Sequence, residues 1–191
     1  MLSRFLKPAL AGALLLTLAQ PAFADDIKAS IKAGLEAYED GDIKAAKEEI
    51  DFAQQLLAQM RLKELQAHLP AALEGWTRQE DKRRGGGGLG VLGGGQSVNA
   101  TYRRGRERIQ VQIMANNQMV ATFAAMFANP AMMGSMGTVK RIGRQKVVIT
   151  KRGDVQTLID NRILVQVQGR AEVEDKEAFF KAINIRKLKK F

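Results

Sequence analysis

Six of the eight methionines, Met114, Met119, Met126, Met132, Met133 and Met136, fall within 23 residues. Thioethers are soft ligands that select Cu(I), so copper binding is the first chemistry these residue types suggest. Spacing narrows it. On a helix Met119 and Met126 share a face but stand about 10 Å apart along the axis, too far to share one ion. Only Met132, Met133 and Met136, in what reads as a loop after Pro130, lie close enough in sequence to converge. No cysteine exists to help them, and the one histidine, His68, is distant. The same stretch also reads as core. Met119, Val120, Phe123, Met126 and Phe127 recur at threes and fours, with Ala121, Ala124, Ala125 and Ala128 opposite them. A helix apolar all round is normally buried, and methionine fills irregular core gaps. Core packing is therefore expected, with a lipid- or partner-binding surface and a copper site as the alternatives.

Other candidates for chemistry lack their companions. His68 sits two residues before Pro70, where a helix ends. Ser97 and Ser135 have glycines nearby but no nucleophile elbow. Most carboxylates alternate with lysines in the manner of solvated helix faces. Gly88, Gly90 and Gly93 match the dinucleotide pattern G-x-G-x-x-G. That pattern binds pyrophosphate only between a hydrophobic strand and a helix N-terminus, and neither flanks it here. Arg152-Gly153-Asp154, between two strand-like runs, is turn chemistry. These readings give no cofactor and no catalytic constellation, and the expectation is a non-enzymatic protein.

Charge is more informative. Residues 25–81 carry a balance of −6 and residues 82–191 one of +14. A strongly basic half points to anionic partners. The clusters expected to face them are Arg103, Arg104, Lys140 and Arg141, with the tail residues Arg186, Lys187, Lys189 and Lys190. On an anionic lipid surface each is worth roughly 1 kcal/mol. Leu188 and Phe191 would add apolar anchors. Nucleic acid fits poorly, because side chains for base stacking are few.

The elements that must position these residues follow from periodicity. Residues 27–69 read as two helices, the first ending at Asp40-Gly41 and the second capped by Asp42. In the second, Ile43, Ala46, Ile50, Ala53 and Leu57 recur as one buried face requires. Residues 77–97 hold a charged run and a glycine-rich run, predicting a linker or loop. Beyond it the period becomes two. VNATYRR and RIQVQIMA predict a hairpin about Gly105, with Ile109, Val111 and Ile113 on one side. A helix follows, capped by Asn116 or Asn117 and stopped near Pro130. GTVKRIG, QKVVITK and ILVQVQG predict strands; VQTLIDN fits a strand or a helical turn. EDKEAFFKAI predicts a final helix. The fold class is therefore α+β: an N-terminal helical hairpin, then an antiparallel sheet with helices packed on one face.

The hairpin carries one family resemblance. AGLEAYEDGDIKAAKEEIDFAQQLL, residues 33–57, resembles a tetratricopeptide repeat unit. Gly34 matches the small residue at the helix crossing, Gly41-Asp42 the turn, Ala46 the small contact of the second helix, and Ile50 and Ala53 the later packing positions. Tyr38 stands beside the usual tyrosine position, which here is Ala37. The resemblance spans one repeat, and arrays bury a continuous core only by stacking several. It implies binding of a protein segment, a role that would fall to Tyr38, Ile50 and Leu57.

The beginning of the chain supplies a compartment. MLSRFLKPALAGALLLTLAQPAFA has the positive start, short apolar run and small-x-small ending of a secretory leader. The expected organisation is a cleaved leader at 1–24, the hairpin at 25–76, the linker or loop at 77–97 and the α+β domain at 98–191. The expected role is that of a periplasmic or secreted interaction protein with a protein partner in the cell envelope. Peripheral attachment to anionic membrane and copper binding are the alternatives.

Overall fold

The computed structural model describes residues 22–79 and 95–191. The leader and the G-x-G-x-x-G pattern lie outside these residues, apart from the leader's last three. Two compact units divide the chain, one ending at Ala53 and the other beginning at Gln54.

The first unit contains α1 (Ala22–Glu39) and the first half of α2 (Ile43–Gln66). Gly41, at φ +81°, makes the turn, a conformation that glycine adopts without steric penalty. Asp42 then caps α2, its carboxylate accepting from the Ala45 N–H at 2.9 Å. Small residues line the inside: Ser30 and Gly34 on α1, Ala46 and Ala53 on α2 are buried. A Cβ at Gly34 would stand 3.2 Å from Ile50 Cδ1 and 3.4 Å from the Ala46 carbonyl. At this crossing the contacts are made by small residues and by the Ile50 side chain over Gly34, with Ile27 buried on α1, while Ile31, Leu35, Tyr38 and Ile43 turn outward. The expected buried face is thus corrected. Ala46 and Ala53 are buried, while Ile43, Ile50 and Leu57 are exposed.

The second unit is built on one seven-stranded antiparallel sheet. Its strands are β1 (Thr77–Gln79), β2 (Gln96–Arg104), β3 (Glu107–Ala115), β4 (Gly137–Ile142), β5 (Gln145–Thr150), β6 (Val155–Ile159) and β7 (Ile163–Arg170). They lie in the order β1-β2-β3-β7-β6-β5-β4. Between β3 and β4 the chain forms α3 (Gln118–Ala128) and α4 (Pro130–Met136); α5 (Val173–Ala182) and α6 (Ile185–Leu188) follow β7. The chain is α+β. VQTLI is a strand, and Thr77–Gln79 pairs with β2 although it falls inside the predicted linker. The expected loop after Pro130 is also helical. Proline is preorganised for a first helical turn, and Asn129 accepts from the N–H groups of Ala131 and Met132.

Strand alternation gives the sheet two different faces. Tyr102, Ile109, Val111, Ile113, Val165 and Val167 point to one, where Phe179 and Phe180 of α5 and Leu188 of α6 cover them. Leu65, Leu69 and Trp76 join that core. The helical pair therefore ends at Gln66, and residues expected to belong to the hairpin down to 76 serve the sheet instead. The opposite face carries a smaller cluster, in which Met114 and Leu164 meet Val120 of α3, with Phe123 and Leu158 beside them. Helices thus stand on both sides of the sheet.

Candidate functional site

The hairpin's outer surface is the first candidate. Ile31, Leu35 and Tyr38 recur at i, i+4, i+7 and form one row on α1. Leu35 is 56% and Tyr38 65% exposed. Across the turn, Ile43 is 62% exposed and Ile50 lies two turns further along the same side of α2. Phe52 adds another exposed apolar ring. An ordinary solvated hairpin buries its large apolar side chains and exposes small or charged ones. Here Ile27 is buried with the small residues and the charged side chains are exposed, but Ile31, Leu35, Tyr38, Ile43 and Phe52 are left exposed among them. Of the residues expected to bind a partner, Tyr38 and Ile50 stand in the first unit; Leu57 is exposed further along α2, in the second unit. Ile31 and Leu35 were not singled out from the sequence, although their spacing from Tyr38 is visible there.

The basic residues do not gather as one surface. Arg104 is tied down. Its Nε donates to Glu107 at 2.6 Å, its two terminal nitrogens grip Asp175 at 3.0 and 2.5 Å, and its guanidinium lies 4.6 Å over the Trp76 ring. The hydrogen bonds to Glu107 and then Asp175 push its pKa above the usual arginine value. It clasps α5 to the β2–β3 hairpin. Lys140 donates to Glu177 at 2.6 Å. Lys189 lies 3.6 Å from Asp160. Arg186, Lys187 and Lys190 are exposed around α6, but the proposed tail anchors are spent on folding. Leu188 is buried, and Phe191 packs on the core with His68 at its edge and Arg61 over its face. The tail is docked, which removes it as an apolar membrane anchor.

Arg103 and Arg141 do face solvent, and the register supplies companions for them. Arg103 opposes Arg108, which opposes Arg170, across three adjacent strands. Arg141 opposes Lys146. All five point to the face that carries α3. Arg170 joins its row only because β7 pairs with β3, two strands separated by more than forty residues of chain, a pairing that local pattern does not reveal.

The three methionines of the thioether hypothesis are on α4. Met132 is exposed, Met133 is buried and Met136 is half-buried. Successive helical residues diverge by about 100°, so Met132 and Met133 point away from one another. The expectation that α3 is core is also corrected. Val120 is its one buried residue, while Met119 is 52% exposed. The α3 face of the sheet offers an apolar footing of only Met114, Leu158 and Leu164, too small to cover a helix all round.

Asp154 lies in a buried pair. Its carboxylate stands 3.5 Å from Lys176 Nζ and accepts from the Gly169 N–H at 3.4 Å, while Lys176 also donates to the Arg152 carbonyl at 3.3 Å. The Arg-Gly-Asp turn is therefore an internal strut. Among the described residues no group of three His, Asp or Glu side chains is placed to hold a metal ion. No family model, no curated protein and no solved structure matches the chain.

Proposed function

We propose that this chain is an exported, non-enzymatic interaction protein whose helical hairpin captures an apolar segment of a protein partner in the cell envelope. The observation that carries the reading is the hairpin's exposed apolar row: Ile31, Leu35, Tyr38 and Ile43 stand outside, while mainly glycine, serine and alanine, with Ile27, are buried. Exposed apolar side chains clustered on one element mark interaction sites. Rows at helical spacing suit a partner helix laid along them. The tetratricopeptide resemblance supports the same reading, because Gly34 and Ala46 occupy the close crossing that such a hairpin requires.

The test is crosslinking in intact cells with the full chain, followed by mass spectrometry. Removing residues 25–70 is the wrong perturbation, since Leu65 and Leu69 belong to the sheet core and Tyr102 donates to the Pro70 carbonyl. Leu35→Glu with Tyr38→Ser changes only exposed side chains. The expected result is one discrete protein captured by the native chain and lost from the double variant. Capture that is unchanged in the variant refutes the hairpin as the binding element.

A further inference from the structure

The α3 face of the sheet combines two anomalies, and each bears on the other. The first is electrostatic. Every carboxylate between residues 95 and 191 belongs to the α5–α6 side. Glu172 stands at the residue preceding α5, and Glu174, Asp175 and Glu177 lie on it. Glu107 reaches α5 through Arg104, Asp154 through Lys176, and Asp160 pairs with Lys189 at the end of α6. The α3 face keeps the cations alone. Arg103, Arg108 and Arg170 form one row and Arg141 and Lys146 another, all exposed, with no carboxylate in ion-pair range among the described residues. Like charges directly opposite across strands destabilise a sheet, so folding does not explain the rows.

The second anomaly is apolar. From Asn116 to Val139, 24 residues pass without one charged side chain, a stretch that contains α3, α4 and the start of β4. A solvated helix pair ordinarily carries lysine and glutamate outside. Here Met119 and Met132 are about half exposed, Val139 on the edge strand is exposed, and the outer alanines are bare. The two helices stand on the sheet as a ridge. Arg141 and Lys146 continue the row of side chains on which α3 sits.

We infer that this face docks on an anionic lipid bilayer, with the α3–α4 ridge entering the headgroup region and the arginine and lysine rows lying under the lipid charge. A linear polyanion would account for the cations but leave the exposed methionines unexplained. A bilayer accounts for both. Interfacial helices bind through apolar area plus attraction to anionic lipid. Long arginine side chains on the sheet bring their charge close to the level of the helices, within about 10 Å of the lipid surface, where screening is incomplete. Among the described residues no helix is long and apolar enough to cross a membrane. The contact is peripheral and uses neither the hairpin nor the C-terminal residues.

Because the chain has no cysteine, single dye labels report position cleanly. The protein is purified from cells with the N-terminus they give it. An environment-sensitive dye is attached through Met132→Cys on the ridge or Lys181→Cys on α5. Vesicles of phosphatidylcholine, with or without about one third phosphatidylglycerol, are added. A blue shift at 132 and none at 181, on anionic vesicles only and weakened by salt, is expected. Met119→Ser with Met132→Ser should lower partitioning by about tenfold or more. Arg141→Gln with Lys146→Gln should lower it by a similar factor, while Leu35→Glu leaves it unchanged. Circular dichroism verifies that the variants fold. Absence of vesicle binding, equal shifts at the two sites, or partitioning unaffected by the ridge substitutions overturns the inference. Binding to polyglutamate or heparin with vesicles ignored also overturns it and reassigns the face to a soluble acidic partner.

Discussion

Replacing Asp154 by asparagine tests how the basic domain holds its one buried charge pair. Lys176 is 2% and Asp154 9% exposed at the side chain, so neither is solvated when its partner is lost. Removing one member of a buried pair costs about 3–5 kcal/mol, because the other charge stays behind without compensation. In Asp154→Asn the ammonium keeps the Arg152 carbonyl at 3.3 Å, which places the loss at the lower end, about 3 kcal/mol. Lys176→Met leaves the Asp154 carboxylate with the Gly169 N–H and with Arg152 at 3.7 Å. Its loss is smaller, about 2 kcal/mol. The pair substituted together should cost about 2 kcal/mol, because no buried charge remains. Independent sites would give about 5, so the coupling is about 3 kcal/mol. The assay is urea unfolding followed by Trp76 fluorescence. Trp76 is the single tryptophan, buried, and edge-on to Phe179 with centroids 5.3 Å apart, within the same unit as the pair. Additive losses, or an Asp154→Asn loss below about 1 kcal/mol, would refute the assignment of Asp154 and Lys176 as a buried pair.

Tyr102→Phe removes the hydroxyl that donates to the buried Pro70 carbonyl at 2.5 Å and should cost about 1–3 kcal/mol. Burial raises the Tyr102 pKa against the opposing influence of Arg78. An unfolded tyrosine loses its proton near pH 10 while the folded one keeps it, so the unfolded state binds fewer protons there. The tyrosine's stabilisation is complete below that pH and declines above it, and the gap between native and variant Tm should narrow in alkali. Gly169→Ala sets a Cβ 2.1 Å from the Arg108 carbonyl at φ +136°. It should lower stability by about 3 kcal/mol or more in urea titration, whereas Gly134→Ala, with nothing within 4 Å, should be neutral or slightly stabilising. Leu65→Ala should cost about 2–5 kcal/mol by Trp76-monitored unfolding, because Leu65 is fully buried against the sheet. Ile43→Ala, at an exposed position, should leave the midpoint unchanged.

Local pattern carried much of the architecture. Alternation in RIQVQIMA and ILVQVQG gave the central strands, Gly105 their hairpin turn, and Asn117 the start of α3, its side chain accepting from Val120 N at 2.9 Å. These features depend on a few neighbouring residues, so periodicity and capping are enough to read them. Burial of the helices was read less well. Spacing identifies which residues share a helical face, and that was right for Ile43, Ile50 and Leu57. It does not say which face meets another element. The crossing at Gly34 brought mainly small residues inside, and the exposed apolar side chains of the hairpin row and the α3–α4 ridge were left outside.

The basic residues divide along the same line. Composition alone determined that residues 82–191 carry a large positive excess, because net charge is a sum that needs no coordinates. Which cations are free is a matter of distance. Arg104 and Lys140 lie within hydrogen-bond reach of carboxylates on α5, 71 and 37 residues away, while Arg103 and Arg141, each their immediate neighbour, point to the opposite face. A strand turns successive side chains to opposite sides, so one residue of register separates a structural clasp from a surface charge. The sequence states the alternation. The pairing of β7 with β3 and the packing of α5 on one side alone decide which half of it meets acid and which half meets solvent.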